Sequence, residues 1–193
     1  MIRKFCVIAC ICITAACGGT DKQAPEEDVK DARLAQSKNT DDFNRHFAMF
    51  LVQYYHLKDA MVLTDEALAE SAAKALEGQA DSLSLKDVKA DSSIIEMAKG
   101  NLSSIASEAK AIQILKGIED KRRSFQMISE NMYDLVRTVG YDKEKVYHAF
   151  CPMAFDDKGA YWLSASADIK NPYFGKKMLT CGEVKDTIGL IGK

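Results

Sequence analysis

Apolar side chains recur at helical spacing over residues 40–139. The clearest stripe alternates steps of four and three residues: Phe43, Phe47, Phe50, Tyr54, Leu57 and Met61. This is the spacing of one face of an α-helix. A second helix is predicted to open at residues 64–66, a third after Asp91 with Gly117 as its stop, and a fourth from Ile118 to a stop at Gly140. Four amphipathic helices with mostly short connections pack most simply as an antiparallel four-helix bundle.

Polar positions and glycines refine this prediction. Gly78 and the Asp- and Ser-rich stretch after it predict a loop over residues 77–91. Arg122 falls near the inner face of the fourth helix, where we expect it to pair with a buried acid, bond a backbone carbonyl or extend its charged end to solvent. His46 and His56 lie on the first helix and are interpreted as surface or boundary residues.

The helical spacing stops after Tyr141, and the remaining chain is rich in aromatic residues and turns. Asn171, Pro172 and Gly175 indicate tight turns. The aromatic side chains of this segment are Tyr147, Phe150, Phe155, Tyr161, Trp162, Tyr173 and Phe174. We therefore predict an all-α fold, an antiparallel four-helix bundle with an aromatic-rich irregular C-terminal segment packed on one face or end of it.

The first residues have the pattern of a bacterial lipoprotein signal. Arg3 and Lys4 precede an apolar stretch over residues 5–16, which is shorter than the roughly 20 residues of a membrane-spanning helix. This stretch ends in the small residues Ala15 and Ala16, directly before Cys17. Residues 1–16 are therefore predicted to be a signal peptide and Cys17 the lipidated residue, with Cys10 as the alternative.

This interpretation divides the chain and gives it a location. Residues 17–39 are polar and charged and are predicted to be a flexible tether. Residues 40–185 are then the helical-bundle domain with its Cys- and Met-containing C-terminal segment. We expect the protein in the bacterial cell envelope, held to a membrane by its lipid anchor and facing the periplasm or the exterior.

Composition and charge narrow the function classes. The chain has 193 residues, which suits one domain, and a formal net charge of -2 at pH 7. That balance offers no basic patch for a phosphate backbone, so we expect no nucleic-acid partner. The sequence has no Ser-His-Asp order, Walker loop, Rossmann glycine pattern or HExxH motif. We therefore expect a protein that is not an enzyme.

Soft donor atoms are the chemical signal of the C-terminal segment. Of the six cysteines in the chain, only Cys151 and Cys181 lie in the predicted folded part. Met153, Met178 and His148 occur close to them along the sequence. Thiolate and thioether donors select Cu(I), because a soft cation prefers polarisable ligands. The five residues are therefore candidate metal ligands.

The same cysteines allow other interpretations. Two cysteines in an oxidising compartment form a disulfide by default, and a bond between Cys151 and Cys181 would close a loop of about thirty residues. Reduced, buried cysteines are a third interpretation, and a switch between dithiol and disulfide would combine metal binding with the bond. A nucleophilic role for Cys151 with His148 as its base is not expected, because nothing in the sequence orients the histidine.

The C-terminal motifs resemble a domain family of unknown function. This family occurs in secreted bacterial proteins and at the C-terminal end of CusB-type heavy-metal efflux membrane-fusion proteins. The similar pieces are FCPMA at 150–154, GAYWLS at 159–164, IKNPYFG at 169–175 and MLTCG at 178–182. Upstream, Arg122, Phe125 and Ser129 are similar to the pattern of the family's fourth helix, so the resemblance covers about residues 45–185.

The resemblance implies an accessory role in handling copper or another heavy metal in the periplasm. It implies Cys151, Met153, Met178 and Cys181 as the principal ligands, with His148 as a fifth. The chain has no room for the long hairpin and barrel domains of a membrane-fusion protein. We therefore expect a free-standing metal-binding lipoprotein that buffers Cu(I) or serves a heavy-metal efflux system. The alternative is an interaction module with a structural disulfide and no metal.

Overall fold

The computed structural model describes residues 39–189. The predicted signal peptide, both candidate lipidation sites and the predicted tether, apart from Asn39, lie outside this range. Asn39 belongs to the fold, because its side-chain amide donates to the carbonyl of Val139 at 2.6 Å and accepts from the amide of Lys89 at 3.1 Å. Within the described range, no helix combines the length and the apolar character needed to cross a membrane.

Four helices follow one another in the predicted order. They are α1 (Asp41–Leu63), α2 (Glu66–Ser82), α3 (Ser92–Ile114) and α4 (Ile118–Thr138). Side-chain caps begin two of them: Thr40 accepts from the amide of Phe43, and Asp65 accepts from the amide of Leu68. Each helix packs against the next one along the chain, and α1 meets α4 through the side chains of Tyr54 and Phe125. The predicted helices are confirmed, and their packing as an antiparallel bundle stays a prediction.

Two glycines act differently from their predicted roles. Helix α2 continues through Gly78 to Ser82, so the predicted loop over residues 77–91 is wrong in its first part. Leu76 and Ala80 are buried on either side of Gly78, and their packing outweighs the roughly 1 kcal/mol that a helical glycine costs. Gly117 does not end α3, which stops at Ile114; with a φ of 84° it precedes the first residue of α4.

The C-terminal segment is not irregular as predicted but forms a three-stranded antiparallel sheet. Its strands are β1 (Val146–Cys151), β2 (Ala160–Ser164) and β3 (Glu183–Ile188), in the spatial order β2-β1-β3. Strand β3 extends beyond residue 185, the predicted end of the domain. The central strand β1 has buried residues on both of its faces. Such a strand lacks the apolar-polar alternation by which strands are recognised in a sequence.

An aromatic layer joins the sheet to the helices. The Tyr54 hydroxyl of α1 accepts from the amide of Leu163 in β2 at 2.9 Å and lies 2.8 Å from the Ser129 hydroxyl of α4. The rings of Tyr54 and Phe125 stack with their centres 5.6 Å apart. Trp162 of β2 is almost completely buried in the same core. Loss of the Tyr54 hydroxyl would therefore leave a buried strand amide without its acceptor.

Two basic side chains of α4 are buried and satisfied. The Lys121 ammonium donates to the carbonyls of Ile112 and Leu115 at 2.8 and 2.7 Å, at the C-terminal end of α3, and to the Glu70 carboxylate at 2.9 Å. Arg122 bonds backbone carbonyls, which was one of its three predicted roles. Lysine near a helix C-terminus also complements the negative end of the helix dipole. Both residues therefore hold helix ends in place.

Candidate functional site

The structure brings the two cysteines of the C-terminal segment together. Cys151 ends β1, and Cys181 lies just before β3. Their sulfur atoms are 3.1 Å apart, within hydrogen-bonding distance, and both thiols are free. Cys151 is completely buried, whereas Cys181 is partly exposed. The pair thus has one sulfur in the core and one at the surface.

Asn171 fixes the position of Cys181. This completely buried side chain donates from its amide nitrogen to the carbonyl of Cys181 at 2.7 Å. Its amide oxygen accepts from the backbone amides of Tyr173 at 2.7 Å and Phe174 at 3.2 Å, which forms an Asx turn. Its own backbone amide donates to the carbonyl of Leu179 at 2.8 Å. One buried asparagine therefore ties both ends of the loop that carries Cys181.

Gly182 allows the chain to pass closely over the sheet beside this cysteine. Its φ is 137°, a value that side chains disfavour. A Cβ atom at this position would lie 2.7 Å from Cη2 of Trp162 and 2.8 Å from the carbonyl oxygen of Phe150. The absence of a side chain here lets Cys181 reach Cys151.

The two predicted methionine ligands lie in a turn and a bend next to the cysteines. Met153 follows Cys151 by two residues and is 46% exposed. Met178 follows a single 3-10 turn (Gly175–Lys177), and its carbonyl accepts from the amide of Cys181 at 3.1 Å. Two short sulfur-containing segments therefore meet where the cysteines touch. The roles of both thioethers as ligands stay predictions.

His148 packs between aromatic side chains and is not grouped with the cysteines. Its ring stacks on that of Tyr133 from α4, with centres 3.8 Å apart, and on that of Tyr161 from β2 at 4.5 Å. Within residues 39–189, no group of three or more His, Cys, Asp or Glu side chains is arranged to hold a metal ion. The structure thus does not group His148 with the two cysteines, and its role as a fifth ligand stays a prediction.

Burial lowers the pKa of His148 to about 4 from its usual 6.5. The carboxylates of Asp186 and Asp134 act in the opposite direction, and Arg137 adds to the lowering. Between pH 6.5 and 4 the unfolded chain therefore binds more protons than the folded one. The imidazole is neutral at pH 7 in the folded protein.

We expect this histidine to make the protein less stable in acid. The free energy of unfolding should fall as the pH is lowered from 6.5 to 4, because the proton binds better to the unfolded chain. Urea unfolding at several pH values measures this free energy of unfolding. In His148→Phe, which keeps an aromatic ring between the two tyrosines, the slope in this window should be shallower. An equal slope in both proteins would assign the pH dependence to other groups.

Cys181 holds its proton at neutral pH. The hydrogen bond to Cys151 is the main cause that raises the pKa of Cys181 to about 11, with burial and the electrostatic effect of Cys151 acting in the same direction. A metal ion that binds the Cys181 sulfur must therefore displace its proton, so the affinity should rise with pH.

A left-handed turn follows Met153, and nothing in the residue pattern indicates it. Within the single turn Ala154–Asp157, the residues Phe155, Asp156 and Asp157 all have positive φ values, from 53° to 62°. This conformation costs about 1–2 kcal/mol for each residue that is not glycine. The Phe155 ring packs edge-on to Tyr173, with centres 5.3 Å apart, and this contact helps to hold the turn.

A groove of about 660 Å³ lies elsewhere in the structure, between the end of α2, the connection after it and α3. Its lining includes Leu83, Leu85, Ile95 and Leu102, with Lys86 and Lys99 among the polar residues. None of its lining residues belongs to the C-terminal sheet, so the groove is separate from the cysteine pair.

The helical part is similar to a known family. Residues 51–144 match the model of the family described as "Protein of unknown function (DUF3347)". The predicted domain of unknown function is thereby confirmed for these residues. The DUF3347 match begins within α1 and ends before β1, so both cysteines lie outside it. No curated protein and no solved structure matches the chain significantly.

Proposed function

We propose that the protein is a lipoprotein of the bacterial envelope, anchored through Cys17, that binds a soft heavy metal, foremost Cu(I). It would buffer the metal or serve as an accessory to a heavy-metal efflux system of the CusB type. The observation that carries this proposal is the 3.1 Å separation of the Cys151 and Cys181 sulfurs. Two segments that each contain a cysteine and a methionine supply them.

The donor set favours Cu(I) over the common alternatives. Two thiolates suffice for linear coordination of a soft cation, and a thioether can complete a trigonal site. Zinc usually takes four nitrogen, sulfur or carboxylate ligands, and calcium requires many oxygens. The DUF3347 match supports neither metal nor partner, so the proposal depends on the chemistry of the sulfur residues.

A Cu(I) titration tests the proposal. The signal-free protein with Cys17→Ser, reduced and anaerobic, competes with a chromogenic Cu(I) chelator. We expect one tightly bound equivalent, and the Cys151→Ser/Cys181→Ser variant should lose at least about 100-fold in affinity, or about 2.7 kcal/mol. Met153→Leu/Met178→Leu should bind about tenfold more weakly, since Leu nearly conserves the volume but provides no donor.

The chain offers a matched control for the methionines. Met97 and Met127 are exposed residues of α3 and α4, at 58% and 45%. The Met97→Leu/Met127→Leu variant should bind Cu(I) like the parent. Loss of affinity in this control, or a parent that does not compete with the chelator, would contradict the proposed site.

The second candidate is an interaction module with a structural disulfide between Cys151 and Cys181. The same sulfur separation favours it, because the two atoms need to approach by only about 1 Å to bond. The bond would add about 3–4 kcal/mol of stability in the chain-entropy model. A count of thiols before reduction, combined with failure to bind Cu(I) after reduction, would support this function instead.

A further inference from the structure

The two sulfur atoms differ in their access to solvent. Cys151, the last residue of β1, is completely buried, and Cys181 is partly exposed. An external thiol can therefore reach only one of them without unfolding the chain. We propose that the pair is a thiol–disulfide exchange site. Cys181 is the sulfur that an external dithiol attacks, and Cys151 is the buried sulfur that leaves on reduction and closes the disulfide on oxidation.

The surrounding contacts suit a pair that alternates between two redox states. The hydrogen bond from Asn171 holds the carbonyl of Cys181, and Gly182 keeps the backbone close to β1. The sulfurs are already 3.1 Å apart in the dithiol. A disulfide requires about 2.05 Å, so small side-chain rotations connect the two states. No rearrangement of the helices is needed.

Once a disulfide oxidant, such as glutathione disulfide, has converted the two thiols to a disulfide, the exchange transfers two electrons from the external dithiol to this oxidised pair. A thiolate of the dithiol attacks the sulfur of Cys181; a mixed disulfide forms, and the bond to Cys151 breaks. The electron pair of that bond stays on the Cys151 sulfur, which takes up a proton. The second thiolate of the dithiol then attacks its own first sulfur, forms the dithiol's disulfide and releases Cys181, which takes up a proton.

The partner is thus defined by chemistry as a dithiol, either a small molecule or a protein with an exposed pair of cysteines. This inference deepens the proposed function, because the reduced pair is the form that would bind Cu(I). Reduction by the dithiol would prepare the site for the metal, and oxidation would close it. Exchange itself does not require a metal.

Single-cysteine variants test the asymmetry. The signal-free protein with Cys17→Ser is compared with the same protein carrying Cys151→Ser or Cys181→Ser. Each reduced, folded protein is mixed with glutathione disulfide at pH 8, and mixed disulfides are followed by mass spectrometry. We expect Cys181, in the Cys151→Ser variant, to react at least about tenfold faster than Cys151 does in the Cys181→Ser variant, because access controls the rate.

The parent should behave differently from either variant. Its mixed disulfide at Cys181 should be short-lived, because Cys151 displaces glutathione and forms the internal bond. The Cys151→Ser variant should retain glutathione. Dithiothreitol, as the probe dithiol, should then return the oxidised parent to two thiols. Urea unfolding of each variant confirms that reaction occurs in the folded state.

Three results would overturn the inference: equal rates at the two cysteines, a mixed disulfide that persists in the parent, or reaction only after unfolding in urea. These results are distinguishable from failure of the proposed function. A protein that binds Cu(I) when reduced but does not exchange overturns this inference alone. A protein that exchanges but does not bind Cu(I) overturns the metal-binding proposal alone.

Discussion

The Arg122→Leu variant should lose about 2–4 kcal/mol of its free energy of unfolding. The guanidinium is almost completely buried and donates to the carbonyls of Pro172 at 2.9 Å and Met61 at 3.2 Å. Further bonds reach the hydroxyl of the exposed Thr64 at 3.1 Å and the exposed Glu119 carboxylate at 2.8 Å. Leucine would fill part of the space but leave the buried Pro172 carbonyl without its side-chain donor, whereas the Met61 carbonyl would keep the Thr64 amide.

Arg122 also connects the helices to the loop that leads to Cys181. Pro172 directly follows Asn171, the residue that bonds the carbonyl of Cys181. A Cβ atom at Gly175 would lie 3.1 Å from the guanidinium, so this loop packs tightly on the arginine. We therefore expect amide hydrogen exchange over residues 171–175 to accelerate in Arg122→Leu.

The neighbouring arginine provides the control. Arg123 is exposed. Its Nε atom is 3.9 Å from the Asp120 carboxylate, and its guanidinium carbon lies 5.6 Å from the centre of the Phe155 ring. Arg123→Leu should cost less than about 1 kcal/mol. Urea unfolding of both variants measures the difference. Similar losses in the two variants would mean that the buried bonds of Arg122 contribute little.

The helices were predictable because their apolar stripes are long and regular. In α1, Phe47, Phe50 and Tyr54 are all completely buried, as the stripe predicts. The end of α2 was not predictable from Gly78, since burial of neighbouring side chains decided it. The apolar periodicity predicts that a helix forms. The residue at which the helix ends depends on tertiary packing, which cannot be derived from a single sequence.

The sheet was missed for two different reasons. Strand β1 is buried on both faces and shows no alternation, while β3 is mostly exposed and reads as a charged segment. Strand β2 is short and mostly buried. Each strand becomes recognisable only when paired, for example Ala149 with Trp162 and with Val184. Pairing between distant segments is the information that local patterns lack.

The candidate site was predictable in its chemistry but not in its geometry. Cys151 and Cys181 were identifiable as the cysteines of the folded part, but their separation of thirty residues does not indicate whether their sulfur atoms are in contact. The contact depends on the buried side-chain amide of Asn171 and on the close approach of the backbone at Gly182 to the sheet. The stacking of His148 between two tyrosines likewise depends on tertiary contacts. The short distance along the sequence between His148 and Cys151 does not predict this stacking.

The Gly182→Ala variant should lose about 2–5 kcal/mol of stability and separate the cysteine pair. The new Cβ atom would overlap Trp162 at 2.7 Å and the Phe150 carbonyl at 2.8 Å, at a φ of 137° that alanine disfavours. Trp162 is packed in the core and cannot move aside cheaply. The backbone at residue 182 must therefore shift, and Cys181 shifts with it.

Two measurements distinguish this result from general destabilisation. Formation of the internal disulfide with glutathione disulfide should slow by at least about tenfold in Gly182→Ala under conditions where the variant is fully folded, which corresponds to about 1.4 kcal/mol in the barrier. Gly78→Ala is the matched control, because its Cβ atom would meet nothing within 4 Å. It lies within a helix and should stabilise the protein by about 0.5–1 kcal/mol without changing the oxidation rate. Parent-like oxidation in Gly182→Ala would show that the close approach of residue 182 to the sheet does not govern the meeting of the two cysteines.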